Sequence, residues 1–262
     1  MPKPIAANPK ANLLRGIATK LHPVMHRIVA DIARATVNNT SAQREAANAQ
    51  KGLAMLLRGK LEATGLPVLL AEDPAPAEAP NNTNNGHWRI VLPAPRNLLY
   101  ARQPLTLAVA FIAPNGTCPI GAIYQPMEDI TIIAETGQGA TCESHRLRCA
   151  NRTTLADALA LLPFSTPDVA EHKLIEKTTT ANLHTRKSGS TLADVADIAL
   201  ARADLAFATR LSTTESLLAN LLLAESGAFA SDFAGKPLGP HSTTLVAANP
   251  KLHPQALKLT NK

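Results

Sequence analysis

LTLAVAFIAPNGTCPIGAIYQPMEDITIIAETGQGA, from Leu105 to Ala140, is the segment that frames the rest of the chain. Leu105 to Ile112 is an apolar run of strand length, and Asn115-Gly116 supplies a turn after it. Ile120 to Tyr124 and Asp129 to Ala134 continue as strands, and Gly137-Gln138-Gly139 marks another turn. The middle of the chain is therefore predicted to be a run of strands.

Helices flank this run. Leu14, Ile17, Leu21, Val24, Met25, Ile28 and Ile32 recur in steps of three and four, the period of a helix packed on one face. Pro23 is expected to kink or restart it. Ser41 can cap a second helix carrying Leu53, Leu56, Leu57 and Leu61, with Gly65 closing it. Val68 to Leu70 and Ile90-Val91 read as short strands, separated by a Pro-, Ala- and Asn-rich loop over 74–86. Leu155 to Leu162 is apolar and reads equally as strand or helix. Ser190 or Thr191 caps a helix through Ala203, and Ser212-Thr213-Thr214-Glu215 is a capping box opening another. Phe229 to Phe233 and Leu245 to Ala248 read as strands, and His253 to Leu259 as a last helix. The order predicts an α+β or layered α/β fold. Residues 1–12, with Pro2, Pro4 and Pro9, are expected to be a loose arm. Residues 13–262 are expected to form one domain, with halves meeting near residue 150.

Bulk properties narrow the function classes. The chain has 262 residues, 45% of them hydrophobic, enough for a sizeable core. Aromatics are 3%, which argues against reading bases by stacking. The net charge of +6 is scattered, with no run of four basic residues, so a nucleic-acid surface is not expected. Cys118, Cys142 and Cys149 form no CxxC pair, which points away from disulfides and zinc and toward a reducing compartment. No apolar run reaches membrane-spanning length. Lys3, Lys10, Arg15, Lys20 and Arg27 precede the first acid, Asp31. A mitochondrial presequence looks similar, but the same residues read as the first helix, so a cytoplasmic location is expected, with a mitochondrial one as the alternative.

Several short motifs then carry a resemblance. Gly121-Ala122-Ile123-Tyr124-Gln125-Pro126-Met127, Ala134 to Ala140, Arg186-Lys187-Ser188-Gly189-Ser190, Ala201 to Asp204, Ala224 to Ala228 and Asp232 to Gly235 stand in the order and spacing of motifs in the inositol monophosphatase family. These are magnesium-dependent phosphatases of sugar and inositol phosphates. The resemblance covers about residues 13–259. It implies a sandwich of alternating helix and sheet layers and a homodimer. It also implies a site in which carboxylates hold magnesium ions that bridge the phosphate and activate water.

The family's metal motif, Trp, apolar residues, then Asp-Pro-x-Asp-Gly-Thr, is matched here by Trp88 to Asn97. Leu92 and Pro95 stand at the two aspartate positions, Ala94 at the backbone-carbonyl ligand, and Arg96 and Asn97 at Gly-Thr. Glu72, within Ala71-Glu72-Asp73, matches the family's "G-E-E" acid. Glu215 aligns with the family's late aspartate, although its capping-box role is the favoured reading. The helix-two aspartate falls near Asn48 or Ala49, and the linker Asn38 to Ser41 is too short for the family's lysine-bearing hairpin. Arg96, with Asn97 beside it, is a candidate phosphate ligand, an exposed basic side chain being the equal alternative.

Other constellations are weaker. His22 and His26 have metal-ligand spacing but no third ligand. Gly137-x-Gly139 lacks the rest of a dinucleotide fingerprint. Set against the family's metal motif, these replacements imply a catalytically inactive protein, with no cofactor, that acts as a binding or partner subunit. Its ligand would be a homodimeric or heteromeric partner or a phosphorylated small molecule. The alternative is an active phosphomonoesterase with magnesium held by Glu72, Asp73 and Glu215.

Overall fold

The computed structural model describes residues 8–37, 41–73, 85–100, 104–162 and 168–260. Most of the predicted 74–86 loop and of the Asn38 to Ser41 linker lies outside them. The first helix, α1, spans Pro9–Val37. It starts earlier than a loose arm to residue 12 would allow. Asn8 Oδ1 accepts from the Lys10 amide at 3.0 Å, and Pro9 stands at the first helical position, where a missing N–H costs nothing. Pro23 sits inside α1 without dividing it. Helix α2, Ala42–Leu61, is capped by Ser41 and ends through a short 3-10 turn at Gly65, whose φ of 71° is left-handed.

Among the described residues the strands form two sheets. The first runs in sequence order: β1 (Val68–Leu70), β2 (His87–Val91), β3 (Leu107–Ile112), β4 (Ile120–Gln125), β5 (Ile130–Glu135), β6 (Gly139–Cys142) and β7 (His145–Arg146). Only β1–β2 is parallel; the remaining pairs are antiparallel, and from β3 to β7 short turns join the neighbours. Between β2 and β3 lies a one-turn helix, α3 (Pro95–Leu99). The second sheet has the order β11-β12-β10-β8-β9, with β8 Leu159–Leu161, β9 His184–Arg186, β10 Leu205–Thr209, β11 Phe229–Ser231 and β12 Thr244–Ala248. Its helices are α4 (Val169–Thr180), α5 (Thr191–Ala199), α6 (Thr213–Glu225) and α7 (His253–Thr260).

The period-two pattern of β3 and β4 explains the stacking. Val109, Phe111, Ala122 and Tyr124 face α1 and α2, together with Leu14, Leu21, Leu53 and Leu57. Ala108, Ala110 and Ile123 face the other way, onto Val195 of α5, Leu218 of α6, and Ala206 and Ala247 of the second sheet. The far side of that sheet, with Phe207 and Val246, is covered by Leu174 of α4 and Ala256 of α7. Helix, sheet, helix, sheet and helix layers therefore alternate. Tyr124 pins the outer layer, its hydroxyl donating to the Leu14 carbonyl at 2.9 Å. Among the described residues no helix is long and apolar enough to cross a membrane.

Sequence and structure differ in places. Leu155 to Leu162 resolves into strand β8, and α5 stops at Ala199, short of Ala203. Helix α4 was not expected from the apolar pattern.

Candidate functional site

A cavity of about 390 Å³ opens where the middle layers meet. Its walls come from the segments after β1 and β2, Thr106 just before β3, the N-terminus of α5, and the β10–α6 connection. Helix α5 points its first turn inward because Gly189, with φ 73°, turns the chain tightly before the Ser190 cap. A Cβ on Gly189 would stand 2.9 Å from Asn97 Oδ1, so the close approach also needs glycine.

Leu92, Ala94 and Pro95 line this cavity, with Glu72 and Glu215. Glu72 is exposed and has no hydrogen-bond or ion-pair partner among the described residues. Glu215 is committed on one side: its Oε2 accepts from the Ser212 amide at 2.9 Å and from the Ser212 hydroxyl at 2.8 Å, completing the capping box of α6. Asp73 points elsewhere. Its Oδ2 accepts from the Leu70 amide at 2.8 Å, and its carbonyl accepts from Arg89 Nη1 at 2.6 Å. Arg89 itself is buried, and burial lowers its pKa, the Asp73 charge only partly offsetting this.

Neither phosphate candidate reaches the cavity, and Arg96 takes its alternative reading as an exposed basic side chain. Residues Pro95–Leu99 coil into α3, which leaves Arg96 exposed and outside the cavity lining. Asn97 is buried, and its amide donates to the Pro104 carbonyl at 3.0 Å and the Ser188 carbonyl at 2.9 Å. Both amide hydrogens therefore hold chain segments together. At the helix-two position, Ala49 is buried and Asn48 exposed. The neighbouring Gln50 reaches toward the Pro93 carbonyl at 3.4 Å.

Two cavity residues escaped the sequence pattern. Arg210, at the end of β10 with φ 57°, lines the cavity. Its Nη2 bonds Asp168 at 3.0 Å and the buried Glu171 at 3.2 Å, so two acids brace the guanidinium. Glu171 also accepts from the Thr209 hydroxyl. Thr106 borders the same cavity, 3% exposed, and its Oγ1 finds no partner. A buried hydroxyl left unsatisfied costs about 1–3 kcal/mol, which a ligand oxygen or a water would relieve.

A second cavity, about 340 Å³, adjoins the first between α2 and the ends of β1 and β2. Both are bordered by Ala71, Glu72, Val91, Leu92 and Pro95. The second chamber is walled mainly by aliphatic groups such as Leu70, Ile90 and Ala54, with Lys51 and Gln50 from α2.

Magnesium selects hard oxygen ligands in near-octahedral order. The cavity offers two carboxylates, one of them tied to a helix cap, and Leu92 and Pro95 add no side-chain oxygen. Among the described residues no group of three or more His, Cys, Asp or Glu is placed to hold a metal ion. The residues present do not fit a caged magnesium pair. Elsewhere, Ser231 Oγ lies 3.0 Å from His253 Nε2, but Ser231 is fully buried, so the contact fastens α7 to β11.

A sequence profile described as the inositol monophosphatase family matches residues 99–262. A Thermotoga maritima protein named fructose-1,6-bisphosphatase/inositol-1-monophosphatase is 23% identical over 168 residues, covering 63% of this chain and 64% of that protein. Nus factor SuhB of Xylella fastidiosa is 28% identical over 151 residues, covering 54% and 55%. The chain thus spans between about half and two thirds of the length of these curated relatives. Among solved structures, the extragenic suppressor protein SuhB of Bartonella henselae matches with a TM-score of 0.81 at 19% identity, covering 97% of this chain and 100% of that one. A Thermotoga maritima IMPase matches at 0.71 and 18% identity, covering 81% and 82%. These structures share the fold.

Proposed function

The chain belongs to the inositol monophosphatase family, and from that premise we propose that it acts by binding a phosphorylated small molecule in the Leu92–Pro95 cavity, without hydrolysing it. One observation carries the proposal. Leu92, Ala94 and Pro95 form the wall where the family's motif would present two aspartates and a carbonyl ligand. Hydrocarbon cannot replace the hard oxygen donors that magnesium requires, and without the ion nothing activates water or neutralises the leaving group. The remaining groups suit an anion. The first residues of α5, at the positive end of its dipole, line the cavity, Arg210 adds a guanidinium already paired with Asp168 and Glu171, and Thr106 an unused hydroxyl. Within the cavity lining, Glu215 is tied to the α6 cap and Glu72 is the carboxylate without a partner among the described residues.

Two measurements test this. Purified protein with magnesium is expected to release no phosphate from inositol-1-phosphate above background. Calorimetric titration of the same ester in EDTA is expected to show binding, and Glu72→Gln to tighten it by about threefold to tenfold, the effect of removing one like charge across a partly solvated cavity. Turnover at ordinary enzyme rates ends the proposal.

A second reading keeps the chemistry alive: an active phosphomonoesterase with one metal held by Glu72 and Glu215. That these two acids line the same cavity favours it. Asp73 does not line this cavity, its carboxylate being turned to the Leu70 amide. On this reading the protein binds magnesium or manganese at millimolar concentration, and Glu72→Gln abolishes that binding. A partner role belongs to the first reading, since several similar proteins carry the name Nus factor. For the dimer implied by the family, light scattering is expected to give twice the 27.7 kDa chain mass; the single-chain mass removes that part.

A further inference from the structure

Deepening the binding reading above, on which it rests, we infer that the ligand is a phosphate monoester with an apolar body: its head in the chamber bordered by Thr106 and α5, its tail in the chamber beneath α2. The two chambers meet at Leu92 and Pro95, which border both. With these side chains the junction is greasy, so an aliphatic group crosses it without losing hydration it cannot regain. The head chamber holds the orphaned Thr106 hydroxyl, Arg210 and the α5 N-terminus. The tail chamber is faced by Leu70, Ile90, Val91 and Ala54. A polyol placed there would leave its hydroxyls without partners, a penalty of about 1–3 kcal/mol each. Each chamber alone is within the size range of small-molecule sites. Lys51 and Gln50 stand at the α2 side of the tail chamber, and Gln50 is turned toward the Pro93 carbonyl. Glu72 borders both chambers, so its exposed carboxylate disfavours a charged tail.

The test is calorimetric titration of the full chain in EDTA with a series of n-alkyl phosphates from butyl to octyl, below their micelle concentrations, beside inositol-1-phosphate. Burial of each added methylene is expected to tighten binding about threefold to fourfold until the chamber is full. Ala54→Leu, at a half-buried helix position that tolerates leucine, fills part of the tail chamber. It is expected to weaken octyl phosphate at least tenfold while leaving butyl phosphate within twofold. Thr106→Val, nearly isosteric, is expected to weaken both equally. Affinity independent of chain length, or an Ala54→Leu loss equal for both esters, overturns this inference. So does binding of inositol-1-phosphate with no alkyl phosphate bound, and in each of these cases the binding reading stands. If no phosphate monoester binds at all, both fall.

Discussion

Asp194 is the residue whose environment most opposes its chemistry. It lies in the first turns of α5, 1% exposed, and neither carboxylate oxygen has a hydrogen-bond partner. Burial pushes its pKa up to about 8; Asp197 adds to the rise, while Ser188 and Arg186 pull against it. Ser188 helps little, since its hydroxyl is directed at the Ser190 carbonyl at 3.1 Å. Asp197 is better provided, being paired with Arg186, although burial raises its pKa too. The unfolded chain releases the Asp194 proton near 3.8, whereas the native state keeps it to about 8. The native state therefore binds more protons across that window. The contribution of this group to stability is complete below the lower value and is lost as pH rises through the upper one. Asp194→Asn cannot ionise, so its stability is expected to fall less with pH. Between pH 5 and pH 8 the natural protein should lose about 2–5 kcal/mol more than the variant, read from urea midpoints. Parallel pH profiles for the two proteins would show that Asp194 is not the buried neutral acid described. The neutral form also matters for the cavity, because a charged carboxylate there would cancel the positive end of α5.

At the scale of elements, α6 joins the most functions. It carries Leu218 and Leu222 into the central core, and Glu225 at its end accepts from the amides of Gly137 and Gly139, both at 2.7 Å. Its start depends on the reciprocal bonds between Ser212 and Glu215. Ser212→Ala is expected to cost about 1 kcal/mol in chemical denaturation, the usual worth of an N-cap; a loss of only a few tenths would mean the box is idle. This helix was legible in the sequence because box, apolar content and closing Gly227 agree. Helix α4 was not, although Asp168 and Glu171 form the same box. Leu174 is its buried aliphatic side chain among the described ones, and Thr178 to Thr180 read as strand residues, so no stripe appears at helical period. The candidate site divides in the same way. Glu72, Leu92, Pro95 and Glu215 could be placed by motif spacing alone. Arg210 and Thr106 could not, because they enter the cavity through tertiary contacts between segments about a hundred residues apart. Arg96 takes the second of its two sequence readings, an exposed basic side chain, for a local reason: the turn of α3 carries it outward.

For the whole molecule, the consequence lies in where the apolar contacts run. Divided near residue 150, the sequence offers two parts, each with its own sheet. Yet α5 and α6 belong to the second half by sequence and cover the inner face of the first sheet. The largest core unites Ala108, Ile123 and Ile132 with Leu192, Leu218 and Leu245. The first sheet has a second, separate core only on its α1–α2 side. Cut between the halves, the chain would expose one face of each sheet, and the loss of that burial is larger than the few kcal/mol by which domains are stable. The intact protein is therefore expected to unfold in one cooperative step despite its length. Far-ultraviolet and near-ultraviolet circular dichroism should give coincident thermal transitions. Residues 1–150 expressed alone should lack a near-ultraviolet signal and bind a hydrophobic dye. Two resolved transitions, or a native-like signal from the isolated half, would mean that the central helices do not weld the sheets together. In that event the cavity would sit at a mobile junction, since its walls come from both halves: Leu92 and Thr106 from one, Ser190, Arg210 and Glu215 from the other.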